Sequence, residues 1–139
     1  MKEIVLFVSG VIGSVFCHLF GCWDKFLEAL LIFMILDYVS GFIVAAFFGN
    51  SPKSTTGKLW SVAMFKGLCK KGMALFFVII GYKLDVLLGT DYIKSMVVFA
   101  FITNELLSII ENAGRMGVPI PDVIKKAIET LNNKEKKEI

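Results

Sequence analysis

The sequence predicts an all-α integral membrane protein with four transmembrane helices, a cytoplasmic interfacial loop helix and a C-terminal amphipathic helix. Of its 139 residues, 56% are hydrophobic and 13 are Phe, and the mean hydropathy is +0.73. A soluble domain contains about 45–50% apolar residues even when Gly is counted. Four long apolar stretches carry this excess. The first of them lacks the polar face that a helix of a soluble bundle needs.

The predicted membrane spans lie at about 4–22, 26–48, 70–89 and 92–113. A helix needs about 20 apolar residues to cross the hydrocarbon core of a bilayer. The apolar stretches at 4–22 and 26–48 reach this length directly. Those at 73–89 and 93–110 reach it when their helices continue into the flanking residues. Together they predict a membrane domain over 1–113. A cleaved signal peptide is the competing interpretation of the first stretch, but Phe20 fits a cleavage site poorly and Lys2 is the only early cation.

Basic residues are divided unevenly between the two sides of this predicted membrane domain. The N-terminus, the loop at 49–72 and the tail from 114 share one side and hold 12 of the 15 Lys and Arg residues. Cytoplasmic loops carry an excess of these residues. We therefore expect a multi-pass protein of the bacterial cytoplasmic membrane with both termini in the cytoplasm. The loop starts with turn formers at 49–57, and its basic, aromatic part at 58–72 is typical of an interfacial helix.

Residues 114–139 are expected to form a cytoplasmic elbow, an amphipathic helix and a charged tail. Gly114 and Gly117 end the preceding helix, and Pro119 and Pro121 stiffen the turn. Apolar residues then recur at helical spacing from 120 to 131, which predicts a helix lying on the inner leaflet or on the bundle. The lysines expected to contact the inner leaflet are Lys66, Lys70, Lys71, Lys125 and Lys126.

Asp37 is a charged residue near the middle of the second predicted span. A carboxylate at that depth costs several kcal/mol, unless it is paired, hydrated or protonated. Ser40 and Gly41 share its helix face, and such small residues allow a partner helix to approach closely. One hypothesis pairs Asp37 with Lys83 and leaves Glu105 to a neighbour on its own helix or to another subunit. A purely structural packing role for Asp37 stays open beside a role in a pore.

A polar stripe covers the second half of the fourth predicted span. Within an arc of about 120°, this helix carries Asn104, Glu105, Ser108, Glu111, Asn112 and Arg115. One helix that is polar over half its length cannot enclose a channel, but several copies or a packed partner could use the stripe. Polar residues are also common where helices reach the membrane interface, so this interpretation stays open as well. The pore or assembly candidates are Asp37, Ser40, Gly41, Lys83, Asn104, Glu105, Ser108, Glu111 and Asn112.

The sequence carries no pattern typical of an enzyme, such as a phosphate-binding loop or a Ser/His/Asp set. His18 lies beside Cys17 and near Cys22, but two or three ligands inside a span do not make a convincing zinc site. The three cysteines are odd in number and form no CxxC pair, which predicts reduced, structural thiols. We expect no enzyme activity, no cofactor, no metal and no nucleic-acid partner.

Three stretches resemble the toxin-secretion/phage-lysis holin family: LDYVSG at 36–41, KGLCKKG at 66–72 and NELLSIIENAGRMGVPIPDVIKKAIETL at 104–131. This family includes holins of phages of Gram-positive bacteria and the holin-like protein of clostridial toxin loci. The resemblance implies a homo-oligomer that permeabilises the cytoplasmic membrane at a set time. An endolysin or a large toxin then reaches the cell wall, and direct contact with either is not implied.

Two other classes of protein fit the same residues. A small four-helix transporter working as a dimer would use Asp37 or Glu105 for proton or cation coupling, in a cavity lined by Phe33, Tyr38 and Phe101. A non-conducting accessory protein would use its basic loop and tail to recruit a partner. The position of most of the polar stripe towards the cytoplasm and the family resemblance favour the holin over the transporter.

Overall fold

The computed structural model describes residues 1–48 and 57–138 and folds them into five α-helices. These are α1 (Lys2–Phe20), α2 (Lys25–Ile43), α3 (Gly57–Leu88), α4 (Ile93–Arg115) and α5 (Asp122–Glu138). A π-helical turn, Val44–Phe48, extends α2. The prediction of an all-helical protein is therefore confirmed. The turn predicted at 49–57 lies, apart from Gly57, outside the described residues.

Three helices in the described part of the chain are long and apolar enough to cross a membrane: α1, α2 with its π-helical extension, and α4. Helix α3 has 32 residues, which correspond to about 48 Å. Every 18-residue stretch of α3 nevertheless contains three or more Lys or Asp residues. The interfacial helix expected at 58–72 is the first half of this continuous helix, because no Pro interrupts it and Gly is tolerated within a helix.

Helices α2, α3 and α4 form the core of the bundle. The ring centroids of Phe26 and Phe99 lie 4.9 Å apart near the beginnings of α2 and α4, and Ser40 and Asn112 are hydrogen-bonded near their ends. These two helices therefore run in the same direction. Gly81 lets α3 approach α4 closely, since a Cβ atom there would lie 3.1 Å from the Cα atom of Lys94. The buried apolar residues of this core are Leu27, Leu30, Met34, Ala74, Val78, Val98 and Ile102.

Helices α1 and α5 lie at the periphery of this core. No residue of α1 is buried, and its Phe16 and Phe20 pack against the core near the end of the helix. Helix α5 packs on α4, with Ile128 buried and Leu131 partly buried against the core. The first three turns of α1 are thus exposed on all sides, which in a membrane protein means exposure to lipid.

The elbow between α4 and α5 turns at Gly117, which has a φ of +75°. The Val118 N–H donates to the Ala113 carbonyl over 2.9 Å and so closes the end of α4. The Pro121 carbonyl accepts from the Ile124 N–H over 3.0 Å at the start of α5. A glycine after a helix and a proline before the next one separate these helices, because glycine adopts positive φ freely and proline cannot continue a helix.

Asp85 and Asp24 organise the other end of the bundle. The buried Asp85 carboxylate accepts from the N–H groups of Ile93 and Lys94, at 3.0 and 2.8 Å. It therefore satisfies donors that have no partner within α4. Asp24 accepts from the Leu27 N–H at 2.8 Å at the start of α2, and it forms an ion pair with Lys94.

The close approach at Gly81 predicts sensitivity to a larger side chain. We expect Gly81→Val to lower the stability by about 1–3 kcal/mol, because the added atoms would push α3 away from α4. The matched control is Gly72→Val on the same helix, where a Cβ meets no heavy atom within 4 Å. Unfolding of both variants in detergent micelles measures the difference, and equal loss of stability would contradict the packing at Gly81.

The ion pair of Asp24 predicts a pH-dependent stability. Burial opposes its charged form, but hydrogen bonds from Lys94 and Leu27 outweigh this effect and hold the pKa of Asp24 below its ordinary value. The folded-state pKa is thus lower than the unfolded one, so the stabilisation is complete above about pH 4 and is lost at lower pH.

Asp24→Asn should keep the helix cap but remove this pH dependence. Thermal unfolding in detergent should show wild type more stable than the variant near neutral pH. The two curves should converge as the pH falls below about 4. A difference that stays constant over this range would show that the charge of Asp24 has no such role.

Candidate functional site

Lys71 lies between two carboxylates in the interior of the bundle. Its Nζ atom is 2.7 Å from Oδ2 of Asp37, and it also donates a short hydrogen bond to Oε2 of Glu105. The side chains of Lys71, Asp37 and Glu105 are 14%, 19% and 7% exposed. Helix α3 supplies the amine, whereas α2 and α4 supply the carboxylates. One lysine therefore connects all three core helices.

Asn112 and Ser40 complete the site. The Asn112 Nδ2 atom donates to Oδ1 of Asp37 at 3.1 Å and to Oγ of Ser40 at 2.9 Å. The Ser40 Oγ donates to the Asp37 carbonyl at 3.0 Å. Asp37 is consequently held by both α3 and α4. We call Asp37, Ser40, Lys71, Glu105 and Asn112 the Lys71 cluster.

The Lys71 cluster has two acidic groups and one basic group, so its formal charge is −1. Burying a charge is costly unless it is paired and hydrogen-bonded, and here one amine serves both carboxylates. Removal of one partner from a buried ion pair leaves an uncompensated charge and costs more than the pair itself contributes. We therefore expect the cluster to be sensitive to the loss of any one of its charges.

Two clefts, each with a volume of ≈ 310 Å³, reach the Lys71 cluster. Ser108 and Gly67 line both clefts together with Asp37 and Lys71. The first cleft extends to Glu111, Arg115, Gly41 and the π-helical end of α2, and the second extends along Lys70, Asn104 and Phe101. Each cleft is polar and large enough to admit several water molecules.

The hypothesis that Asp37 pairs with Lys83 is wrong, as is the expectation that Glu105 is left to a neighbour on its own helix or to another subunit. Lys71 binds both carboxylates. The Lys83 Nζ atom instead donates to the His18 carbonyl at 2.6 Å. The physical reason is depth, because Lys83 lies twelve residues after Lys71, or about 18 Å further along α3.

Lys71 also departs from its expected place among the lysines of the inner leaflet, since it lies in the interior. Its position could have been found from helical spacing. Ala74 and Val78 are buried in the core, and they follow Lys71 by three and seven residues. Side chains at these spacings share one helix face. Positive charge predicts contact with the inner leaflet, whereas this spacing predicts that Lys71 faces the core.

The structure distributes the other candidates around the cluster. Asn104 and Glu111 are exposed on α4, while the Ser108 hydroxyl donates to the Asn104 carbonyl at 3.1 Å. Gly41 faces Asn112, whose Nδ2 atom would lie 3.6 Å from a Cβ at that position. The remaining lysines expected at the inner leaflet are all exposed: Lys66, Lys70, Lys125 and Lys126. Lys125 pairs with Asp122 at 3.5 Å.

An all-helical bundle in which three of the described helices are long and apolar enough to cross a membrane has the features of a helical membrane protein. The model of the bacteriophage holin family matches residues 14–133 of the chain. The chain belongs to this family. The match begins near the end of α1 and covers all three core helices, and with them the whole Lys71 cluster. It confirms the resemblance carried by the three sequence stretches.

Relatives of similar length come from several bacteria and a phage. The chain is 36% identical over 140 residues to an uncharacterized 14.9 kDa protein in the nagH 3′ region of Clostridium perfringens, covering 97% of this chain and 100% of that protein. It is 37% identical over 129 residues to an uncharacterized protein of Listeria innocua, covering 91% and 86%. It is 29% identical over 110 residues to a probable holin of Bacillus phage phi105, covering 78% and 76%. No solved structure matches the chain.

The Lys71 cluster predicts a large loss of stability when its amine is removed. We expect Lys71→Met to cost about 3–5 kcal/mol, because Asp37 and Glu105 would remain buried and unpaired. Lys70→Met is the matched control, since Lys70 is the exposed neighbour of Lys71. Chemical or thermal unfolding in detergent micelles gives both values.

A neutral version of the cluster provides the second arm of this test. Lys71→Met combined with Asp37→Asn and Glu105→Gln removes all three charges and should recover most of the lost stability. If the triple variant were as unstable as Lys71→Met alone, the unpaired carboxylates would not be the cause of the loss.

Proposed function

We propose that the chain is a holin, which oligomerises in the cytoplasmic membrane to form pores and so triggers host lysis. The cargo released would be an endolysin or, in a toxin locus, a large toxin. The membership of the bacteriophage holin family carries this proposal. The relative from Bacillus phage phi105, a probable holin, supports it. The bundle adds a physical basis, because it keeps polar and charged groups within helices that are otherwise apolar.

The proposed topology has four spans, with α3 crossing the membrane through its apolar second half. Both termini, the loop after α2 and residues 114–139 then lie in the cytoplasm, where 12 of the 15 basic residues accumulate. Lys66, Lys70, Lys125 and Lys126 are exposed and would contact the inner leaflet. The end of the bundle with Asp24 and Asp85 would face the outside.

The Lys71 cluster suggests how a stable subunit becomes part of a pore. In the single subunit its ion pairs hold α2, α3 and α4 together, and its polar groups are turned inwards. When several subunits associate, the two clefts allow Asp37, Glu105 and the stripe on α4 to become part of a shared, hydrated surface. Moving one elementary charge across the membrane during this change alters its free energy by about 2.3 kcal/mol per 100 mV. Depolarisation removes this contribution and would therefore shift the equilibrium between the closed subunit and the pore.

A transporter remains the second candidate because the two clefts reach carboxylates at membrane depth. Asp37 or Glu105 would then bind a proton or a cation during transport by a dimer. The two proposals differ in what they do to the cell. A transporter exchanges small ions or solutes and leaves a cytoplasmic endolysin inside, whereas a holin releases it.

Inducible co-expression with a cytoplasmic endolysin in a bacterium tests the proposal. We expect abrupt loss of membrane potential followed by lysis, and both proteins should be required for lysis. Asp37→Asn and Glu105→Gln should advance the onset, because each weakens the ion pairs that hold the single subunit closed. Optical density and a potential-sensitive dye follow the two events, with equal membrane amounts established by immunoblot.

Glu129→Gln is the control because Glu129 is an exposed acid on α5, outside the Lys71 cluster and the polar stripe of α4. It should change the onset less than either cluster variant does. Sustained growth at full membrane expression of the wild type would refute pore formation. In that case, proton or cation uptake into proteoliposomes that depends on Asp37 or Glu105 would identify the transporter instead.

A further inference from the structure

Three helices of the chain end with the same backbone turn. Gly21, Gly89 and Gly117 have φ angles of +78°, +66° and +75° after α1, α3 and α4. In each case, the N–H of the residue after the glycine donates to the carbonyl of the residue five positions before it. The three bonds are Cys22 to Cys17 at 3.3 Å, Thr90 to Asp85 at 3.0 Å and Val118 to Ala113 at 2.9 Å. This type of helix end brings the side chains of those two residues into contact.

The end of α3 shows this contact directly. The Thr90 Oγ1 atom donates to Oδ1 of Asp85 at 2.6 Å, although the two residues are five positions apart. At the end of α1, the residues in these two places are Cys17 and Cys22. The backbone bond between them, from the Cys22 N–H to the Cys17 carbonyl at 3.3 Å, is the same as the one that accompanies the contact of Thr90 with Asp85. The backbone therefore brings two cysteines together that are not in a CxxC motif.

The turn at the end of α1 is also held by residues of α3. The Lys83 Nζ atom donates to the His18 carbonyl at 2.6 Å. The Tyr82 ring packs so closely on Gly21 that a Cβ there would clash with the ring. Cys22 has a φ of +70° and is the only residue other than glycine with positive φ in the described part of the chain. This conformation costs about 1–2 kcal/mol for an L-residue, so the surrounding contacts must maintain it.

We propose that Cys17 and Cys22 form a reversible redox site, which closes to an intramolecular disulfide by exchange with a low-molecular-weight disulfide. Cys22 is exposed and Cys17 is partly exposed, so Cys22 is the first to react. Its thiolate attacks one sulfur of the external disulfide and displaces a thiol. The Cys17 thiolate then attacks the Cys22 sulfur and displaces the second thiol. Two protein thiols are oxidised and one external disulfide is reduced to two thiols.

The disulfide would lock the connection between α1 and α2. It would fix the positive φ angles of Gly21 and Cys22, and with them the contacts of this turn with Tyr82 and Lys83. The site is separate from the Lys71 cluster, since it lies at the opposite end of the bundle. The topology proposed above places it at the outer end of the first span, towards the side of the membrane where disulfides persist more readily than in the cytoplasm. The sequence alone predicts reduced thiols here.

The full chain in detergent micelles, equilibrated with mixtures of reduced and oxidised glutathione, provides the test. Free thiols are then blocked with N-ethylmaleimide and counted by intact mass spectrometry. We expect the wild type to fall from three blocked thiols to one, with Cys69 remaining, and to stay monomeric on a non-reducing gel. Cys69→Ser should fall from two to none. Retention of all three thiols, or disulfides formed only between chains, would overturn the proposal.

Two controls test whether the folded turn causes the pairing. The combined variant Cys17→Ser and His18→Cys moves one thiol by a single residue, about 100° around the helix. This variant should need a more oxidising glutathione mixture than the wild type to form its intramolecular disulfide. In denaturant, the unfolded wild type should also need a more oxidising glutathione mixture to reach half oxidation. The equilibrium constant for closing the Cys17–Cys22 disulfide should fall by about tenfold or more. Equal midpoints for folded and unfolded chains would refute the site.

Discussion

The position of the Lys71 amine between Asp37 and Glu105 is the constraint on which the rest of the bundle depends. Each carboxylate lies on a different helix, and neither has enough exposure to be stabilised by water alone. A buried charge requires a partner and hydrogen bonds, so α2, α3 and α4 are fixed in rotation and in register by one side chain. Asn112 adds a second connection between α4 and α2, because its side-chain amide donates to both Asp37 and Ser40. Apolar burial is non-directional, whereas the ion pairs and hydrogen bonds of the cluster depend on distance and angle.

The opposite end of the bundle is organised by a different principle, the capping of helix ends. Asp85 supplies acceptors for the first N–H groups of α4, and Asp24 does so for α2 while pairing with Lys94. Lys83 provides a donor for the last turn of α1. These polar contacts are local, so they fix the connections without adding to the core. Helix α1 is consequently joined to the bundle near its end, and most of its length remains available to lipid or to another chain.

The family motif on α4 combines residues with two different physical roles. Glu105 and Asn112 are buried, and their contacts build the Lys71 cluster. Asn104 and Glu111 are exposed, and they border the clefts that lead to it. The buried members explain why the subunit folds as it does. The exposed members are the ones that remain free for assembly in the proposed holin, and this division fits a protein that must be stable alone before it associates.

The sequence alone determined the all-helical class, the membrane character and the family, because apolar length and motif spacing are properties of the chain in one dimension. It also located the elbow, since Gly117 and Pro121 act through local backbone geometry. Only the tertiary structure decided the partner of Asp37. Helical spacing with Ala74 and Val78 places Lys71 on the buried face of α3, but spacing does not say which residues of α2 and α4 meet that face. The proposed pairing of Cys17 with Cys22 likewise depends on the positive φ angle of Cys22, in a turn that Tyr82 and Lys83 of α3 contact. A pairing of side chains depends on how three-dimensional elements meet, and no pattern along the chain contains that information.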